Sequence, residues 1–161
     1  MSEKPLIVIV MGSKRDVEHC QKIADAAMTH FGIESVMRVA SAHRTPDHAV
    51  AVLRAYEADP RPKVYVTVAG RSNALSGFSD GVVAAPVIAC PPYSDSFGGS
   101  DIFSTLRMPA GVAPATILEP ENVAVYAAKT FGLFDAEIRA RVKAYQAARA
   151  QTILDDDAAL N

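Results

Sequence analysis

A histidine and an arginine stand side by side in the segment Ser41-Ala42-His43-Arg44-Thr45, directly before a predicted helix. The positive charge of Arg44 and the N-terminus of that helix both disfavour a second positive charge on the imidazole. A neutral His43 could then accept a proton as a general base, although an incidental loop histidine is the alternative. Arg44 could bind a phosphate through two parallel N–H groups or bridge to a surface carboxylate, and its place beside His43 favours the phosphate. The remaining histidines fall in helical segments and are expected at the surface; they are His19, His30 and His48.

A second candidate segment, Gly12-Ser13-Lys14-Arg15-Asp16, ends an apolar run and enters a helix. Free backbone N–H groups and the positive end of the helix dipole favour an anion there, so Gly12 and Ser13 are candidates for a phosphate site. The alternative is that Ser13 or Asp16 only caps the helix. The carboxylate of Asp16 would repel a phosphate, and it fits better as an acceptor for ribose hydroxyls or as a cap that positions the loop.

Two further segments combine glycines with polar residues. Gly70, Ser72 and Asn73 would let a ligand approach the backbone closely and form hydrogen bonds, or they serve as a helix cap. The run from Asp95 to Asp101 contains two glycines and is either a lid over a site or a plain surface loop.

The hydrophobic pattern predicts a scaffold that brings these segments together. Short apolar runs predict five strands, which are Leu6–Met11, Ser35–Ala40, Lys63–Ala69, Pro86–Cys90 and Ala115–Leu118. Helical spacing predicts helices between them: from Val17 to a stop at Gly32, from Pro46 behind a Thr45 N-cap to Pro60, near Asn73–Val82 and Asp101–Arg107, and Glu121–Phe131 closed by Gly132. Strands that alternate with helices predict an α/β fold with a parallel sheet covered on both faces, a flavodoxin-like three-layer sandwich.

In such sheets ligands bind beyond the carboxyl ends of the strands. The segments that begin at Gly12, Ser41 and Gly70, and the run Pro91-Pro92-Tyr93-Ser94 after the fourth strand, are therefore expected to meet at one edge.

A last helix is predicted from about Asp135 to Ile153, with apolar residues at helical spacing but little of its own domain left to cover. It could pack on a neighbouring subunit or close its own fold, and the pattern leaves both open. The acidic run Asp155–Asp157 is expected to form a frayed, solvated tail.

The composition fits one packed domain over residues 1–161. Half of the residues are hydrophobic and 21% are charged, which excludes a disordered chain. The 16 basic and 18 acidic residues give a net charge of −2 without a long basic run, so no nucleic-acid partner is expected. Cys20 and Cys90 lack disulfide or zinc spacing and are expected to be buried, reduced thiols. The first apolar run is too short for a signal peptide or membrane span, so we expect a soluble, cytoplasmic protein.

Five stretches of the sequence, in this order, resemble the phosphoribosylaminoimidazole carboxylase (AIR carboxylase, PurE) family: VMGSKRD, SAHRTPD, AGRSNALSG, IACPPYSDSFGGSDIFSTLRMPAG and ILEP. The resemblance runs from about Leu6 to Ile153. One class of the family carboxylates aminoimidazole ribonucleotide with carbon dioxide, and the other is a mutase that moves a carboxylate within the carbamate isomer of the product. The mutases usually carry small residues and then His-Leu after an Ala-Gly pair. This chain has Ala69-Gly70-Arg71-Ser72-Asn73 instead, which looks like class II, the form that uses carbon dioxide.

Two positions depart from the family pattern. Arg15 stands where many relatives have Ser, and Arg44 stands where several class II members have Lys. Arg44 keeps the positive charge and is common in the mutases, which weakens its value as a marker of the class.

The resemblance implies an enzyme of purine biosynthesis that needs no metal or organic cofactor. It implies His43 as the catalytic proton acceptor and ribonucleotide contacts from a set of polar and small residues: Ser13, Asp16, Ser41, Arg44, Gly70 and Ser72. Carbon 4 of the electron-rich ring would attack carbon dioxide held in near-attack geometry, and His43 would then remove the proton from that carbon. The small residues around Gly70–Ala74 suit a pocket of few charges for a neutral gas. Relatives form tetramers or octamers, so a homo-oligomer is expected.

Two rival hypotheses follow from the same residues. One is the mutase of the same family, and the other is a non-catalytic nucleotide- or flavin-binding module, because flavodoxin-like folds host many functions.

Overall fold

The protein, for which a computed structural model describes residues 4–160, is built on a five-stranded sheet in the order β2-β1-β3-β4-β5. All neighbouring strands are parallel, and the strands are β1 (Leu6–Met11), β2 (Glu34–Val39), β3 (Lys63–Val68), β4 (Val87–Ala89) and β5 (Ala115–Thr116). The chain runs outward from β1 to β2 and then returns to place β3 on the other side of β1. This change of direction opens a crevice beyond the carboxyl ends of β1 and β3.

Helices cover both faces of the sheet, as the sequence pattern predicts. They are α1 (Val17–Ala26), α2 (Pro46–Glu57), α3 (Ala74–Asp80), α4 (Phe103–Leu106), α5 (Pro120–Phe131) and α6 (Ala136–Leu160). Short 3-10 segments precede α1 at Lys14–Asp16 and α4 at Ser96–Ile102, and a π turn extends α1 over Ala27–Phe31. Among these helices of residues 4–160, none combines the length and hydropathy that crossing a bilayer requires.

Strand β1 is apolar without interruption because its alternate residues face two different hydrophobic cores. Ile7, Ile9 and Met11 face the core that contains α1, α5 and the start of α6. Leu6, Val8 and Val10 face the core formed with α2 and α3. Because no residue of β1 is more than 2% exposed, the strand has no solvent face that would call for a polar residue.

Glycines end two helices for different reasons. Gly32 follows the π turn at a φ of +66°, a left-handed conformation that favours glycine. Gly132 follows α5 as predicted, but its φ of −61° is open to any residue. Glycine is favoured there by space, because a Cβ would lie 3.1 Å from the Ala128 carbonyl oxygen and 3.3 Å from the Arg139 Cα, closer than most Cβ contacts.

The C-terminal helix α6 differs from its prediction. Its first part closes the domain, since Ile138 and Val142 are buried and the Tyr145 hydroxyl donates to Glu121 at 2.6 Å. The expected frayed tail at Asp155–Asp157 is wrong, because the helix continues to Leu160. Side-chain bonds within the last turns support this, such as Gln151 Nε2 to Asp155 Oδ1 at 2.8 Å. The segment is solvated as expected, and every residue from 146 to 160 is exposed.

Candidate active site

A cleft of about 630 Å³ lies at the carboxyl edge of the sheet, beyond β1, β2 and β3. Every residue predicted as a catalytic or substrate-binding residue lines it, namely Ser13, Asp16, Ser41, His43, Arg44, Gly70 and Ser72. Arg15, Arg71 and Leu75 also line the cleft and were not among the predicted site residues. Arg15 lies two positions after Ser13, and its charge near a candidate phosphate site was the available signal.

The turn after β1 is capped by Ser13 rather than by Asp16. Ser13 Oγ accepts a hydrogen bond from the Arg15 backbone N–H at 3.3 Å, so Ser13 caps the 3-10 turn that precedes α1. The hydroxyl hydrogen remains available to an anion, because a serine can accept and donate at once. Asp16 makes no side-chain capping bond to α1. Partial burial in the cleft raises the pKa of the Asp16 carboxyl, and the charge of His19 opposes this rise.

The loop after β2 is closed by its own residues. The Thr45 backbone N–H donates to the Ser41 carbonyl at 2.9 Å, and the Ser41 N–H donates to Thr45 Oγ1 at 3.0 Å. Thr45 precedes α2 and Pro46 opens it as predicted, but the Thr45 side chain does not cap the helix. Its hydroxyl is used in the turn, which presents His43 and Arg44 at the surface.

Arg44 joins the first two loops of the site. Its Nη2 donates to the Gly12 carbonyl at 3.1 Å, and its backbone N–H donates to Ser41 Oγ at 3.2 Å. The guanidinium therefore contacts a backbone carbonyl rather than the surface carboxylate considered above, and Arg44 is an exposed residue of the cleft with further N–H donors on the same group. His43 is exposed, and its ring makes no hydrogen bond within the part of the chain that the structure describes. The imidazole is thus free to contact a ligand.

The segment after β3 is held in place by Asn73, which is buried. Asn73 is 2% exposed, and its Oδ1 accepts from the Ser76 N–H at 3.3 Å as the N-cap of α3. The helix-cap interpretation therefore holds for Asn73, while Gly70 and Ser72 face the cleft. Arg71 between them has a φ of +61°, a left-handed conformation that is uncommon for a residue with a side chain.

A second cavity of about 380 Å³ adjoins the first. It is lined by the run from Pro91 to Ser94 and by Ile102 and Leu118, among others, and it shares Ala69, Gly70 and Arg71 with the cleft. The four polar segments do meet at one edge of the sheet, as predicted, but they enclose two cavities with a shared wall. The run after β4 lies in the second one.

The surface position predicted for the other histidines is correct for His48 and wrong for His19. His19 is half-buried behind the cleft, and its Nε2 lies 3.3 Å from Cys90 Sγ. Burial lowers the pKa of His19. His30 is partly buried too, with its ring 5.0 Å from that of Tyr145. The spacing of helical residues could not reveal these partners, since Cys90 is 71 positions away from His19.

The two cysteines are free and buried, as the sequence predicts. Burial raises the pKa of both Cys20 and Cys90 to about 12. Both are therefore thiols at neutral pH, and the Cys90 thiol points to the Leu118 carbonyl at 3.6 Å.

Comparisons with known proteins place this site in a family. The model of the AIR carboxylase family matches residues 6–152. The phosphoribosylaminoimidazole carboxylase of Treponema denticola is 55% identical over 157 residues, which cover 98% of both chains. The enzyme of the same name from Archaeoglobus fulgidus is 51% identical over 150 residues, which cover 93% of this chain and 82% of the relative.

The fold agrees with a solved relative along nearly its whole length. The crystal structure of Treponema denticola PurE superposes with a TM-score of 0.96 at 54% identity, covering 98% of this chain and 99% of that one. The chain belongs to the AIR carboxylase family and is an enzyme of purine biosynthesis.

Proposed function

We propose that this enzyme carboxylates carbon 4 of 5-aminoimidazole ribonucleotide with carbon dioxide, reversibly, and is not a mutase of the carbamate isomer. The observation that carries the proposal is the cleft in which an unpaired His43 lies with the segment Ala69 to Ser72. That segment has the class II pattern, with Arg71 and Ser72 where mutases have small residues. The names of the relatives from Treponema denticola and Archaeoglobus fulgidus, both carboxylases, support the same choice.

The phosphate of the ribonucleotide fits the loop after β1. Ser13 offers a hydroxyl, and Arg44, held against the Gly12 carbonyl, offers further N–H groups. Arg15 and Arg71 add positive charge to the rim of the same cleft. Asp16 is not used as a cap, so its carboxylate is free to accept hydrogen bonds from ribose hydroxyls.

The chemistry then needs one base. The π electrons at carbon 4 form a bond to the carbon of carbon dioxide, so the new carboxylate becomes negative and the ring with its amino nitrogen becomes positive. Carbon 4 still holds its hydrogen at that point. A neutral His43 accepts this proton, and the C–H electron pair restores the aromatic ring. In the reverse direction the protonated His43 returns the proton to carbon 4, and carbon dioxide leaves.

A homo-oligomer is part of the proposal. Exposed apolar side chains lie on α6 and on the turn before it: Leu133, Phe134, Ile153, Leu154 and Leu160 are each at least 61% exposed. A surface of this kind is more common at subunit contacts than on a monomer.

Initial-rate assays with purified enzyme separate the two classes. One assay supplies aminoimidazole ribonucleotide and bicarbonate with carbonic anhydrase, which keeps carbon dioxide at equilibrium. The other supplies the carbamate isomer without bicarbonate. The proposal expects turnover in the first assay, and turnover of the carbamate alone would overturn it. The His43→Asn variant serves as a blank in both assays, because the carbamate also decomposes without an enzyme.

The third hypothesis, a non-catalytic nucleotide- or flavin-binding module, is wrong, since the family consists of enzymes.

A further inference from the structure

Hydrogen bonds tie the segment that follows β3 to the start of α4, and the network they form is buried at Asn73 and Thr105. Asn73 Nδ2 donates to Thr105 Oγ1 at 3.1 Å, and the Asn73 backbone N–H donates to Ser104 Oγ at 2.9 Å. Asn73 and Thr105 are each 2% exposed. Water therefore cannot readily replace the bond between Asn73 and Thr105, which matters more than it would at the surface. Ser104 is exposed, and it extends the network from this buried pair toward the surface.

The same network reaches the left-handed residue. Ser104 Oγ lies 2.7 Å from the Asp101 carbonyl and 3.3 Å from the Arg71 carbonyl, so its single hydrogen is shared with Asp101 as the stronger partner. A side chain disfavours the φ of +61° that Arg71 adopts. The conformation must therefore be held by its surroundings, and the bonds that Ser104 makes at the Arg71 carbonyl and at the Asn73 N–H are available to do so.

Arg71 lies where the conformation of its backbone affects both the cleft and the second cavity. With Ala69 and Gly70 it lines both the cleft and the second cavity. Asn73 and Thr105 line the second cavity and not the cleft. Most of the residues proposed to bind the ribonucleotide, by contrast, come from the loops after β1 and β2, which this network does not touch; they are Ser13, Asp16, Ser41 and Arg44, whereas Gly70 and Ser72 flank Arg71.

We infer that Asn73, Ser104 and Thr105 form a clamp that positions the Arg71 segment between the two cavities and thereby sets the affinity for the carboxyl donor. The inference rests on the proposed function for the identity of that donor. The clamp residues are positioning residues, since they act through the Arg71 backbone and contact no reacting atom. The side chains of Pro91, Ile102 and Leu118 give the second cavity a weakly polar wall, which suits the approach of small, uncharged carbon dioxide.

Michaelis constants for the two substrates, measured separately, test the clamp. Ser104→Ala removes the acceptor for the Asn73 N–H, and we expect the KM for carbon dioxide to rise about threefold to tenfold, as for the loss of one hydrogen bond. The KM for the ribonucleotide should rise clearly less, because most of its proposed partners lie on the loops after β1 and β2. Ser104→Thr retains the hydroxyl and should restore the wild-type value. Ser100→Ala, an exposed serine of the preceding 3-10 segment, is the matched control and should change neither constant.

Hydrogen–deuterium exchange gives a second readout that does not depend on the reaction. Ser104→Ala should speed exchange in residues 69–76, and Ser100→Ala should not. Unchanged exchange, or an equal rise of both Michaelis constants, would show that the clamp does not act as inferred. If Ser104→Ala fails to fold, Thr105→Val, which keeps the shape and loses the acceptor, takes its place. Should the wild type use only the carbamate isomer, the proposed function fails, and the exchange result together with the KM for the carbamate still decides the clamp.

Discussion

His43 stands apart from the other histidines because its ring is exposed, unpaired within the described residues and directed by a closed turn into a cleft. A general base contributes about 10²-fold to 10⁴-fold to the rate of a proton transfer. We therefore expect His43→Asn to lower kcat by a factor in that range. The thermal unfolding midpoint should hardly change, because the side chain supports no packing.

The control for this substitution is His48→Asn, at an exposed position on α2 outside the cleft. It should leave both kcat and the unfolding midpoint unchanged. A His43→Asn enzyme that kept its kcat would show that another group accepts the proton.

The carboxyl group of Asp16 makes the stability of the folded protein depend on pH. Because burial raises the pKa of its carboxyl in the folded protein, the folded state binds this proton more tightly than the unfolded chain does. The stability that Asp16 contributes is then fully present below its unfolded pKa and is lost as the pH rises through the higher folded value. At pH 7 the charged carboxylate of Asp16 therefore lowers the stability of the folded state. We expect Asp16→Asn to raise the thermal unfolding midpoint at pH 7, and this gain to vanish near pH 3.

The same variant should bind substrate less well. A hydrogen bond to a charged acceptor is stronger than one to a neutral acceptor, so the KM for the ribonucleotide should rise about tenfold or more. Asp47→Asn makes the same charge change at the exposed first turn of α2. It should slightly lower the unfolding midpoint at pH 7, since an acid there favours the helix dipole. If both variants shifted the midpoint in the same direction, the burial of Asp16 would not explain its effect.

At the scale of elements, the sequence predicts best what depends on near neighbours. The apolar run of β1 and the Pro46 start of α2 are local signals, and both are confirmed. The ends of strands are less certain because packing decides them: the predicted fifth strand, Ala115–Leu118, keeps only Ala115–Thr116. The placement of the site residues at one sheet edge follows from the parallel topology alone, which is why all of them reach the same cleft.

Contacts between distant segments had no local signal. The Asn73 bond to Thr105 joins residues 32 positions apart, and the His19 contact with Cys90 joins residues 71 positions apart. Thr45 shows the same limit at close range, because a sequence cannot tell a hydroxyl that caps a helix from one that closes the preceding turn. The division of the edge into two cavities depends on such contacts and could not be predicted.

The junction of α5 and α6 offers a test of packing at a glycine. Gly132 and Gly81 both follow a helix with nearly the same backbone, at φ values of −61° and −72°. A Cβ on Gly132 meets backbone atoms at 3.1 and 3.3 Å, whereas a Cβ on Gly81 meets its neighbours at 3.6 and 3.7 Å. Gly132→Ala should therefore lower the free energy of unfolding by about 1–3 kcal/mol.

Gly81→Ala is the matched control for the Gly132 substitution. It should leave the free energy of unfolding unchanged or raise it by about 0.4–1 kcal/mol, because alanine restricts the unfolded chain more than glycine does. Urea unfolding curves of the two variants measure both effects. Equal changes in the two would mean that the backbone atoms around Gly132 move aside.

At the scale of the whole molecule, α6 raises the question of what supports its second half. Tyr145 and Arg149 hold the helix to Glu121, and beyond them it extends in solvent to Leu160. A helix segment of this length is marginal in water without tertiary contacts. Ile153 and Leu154 are 67% and 61% exposed, so an apolar partner would stabilise the segment. A second copy of the chain fits this need, which is the homo-oligomer proposed above.

Sedimentation velocity at micromolar concentration should therefore show a species larger than one chain. The double variant Ile153→Glu and Leu154→Glu places two charges where the contact would be desolvated, and we expect it to shift the protein to a smaller species. Ala148→Glu adds one charge at an exposed position of the same helix, away from the side that carries Ile153 and Leu154, and should leave the sedimentation coefficient unchanged. A wild-type protein that sediments as a single chain would contradict the proposal. An oligomer that survives the double variant would place the subunit contact elsewhere, with Leu133 and Phe134, at 78% and 61% exposure, as the next residues to replace.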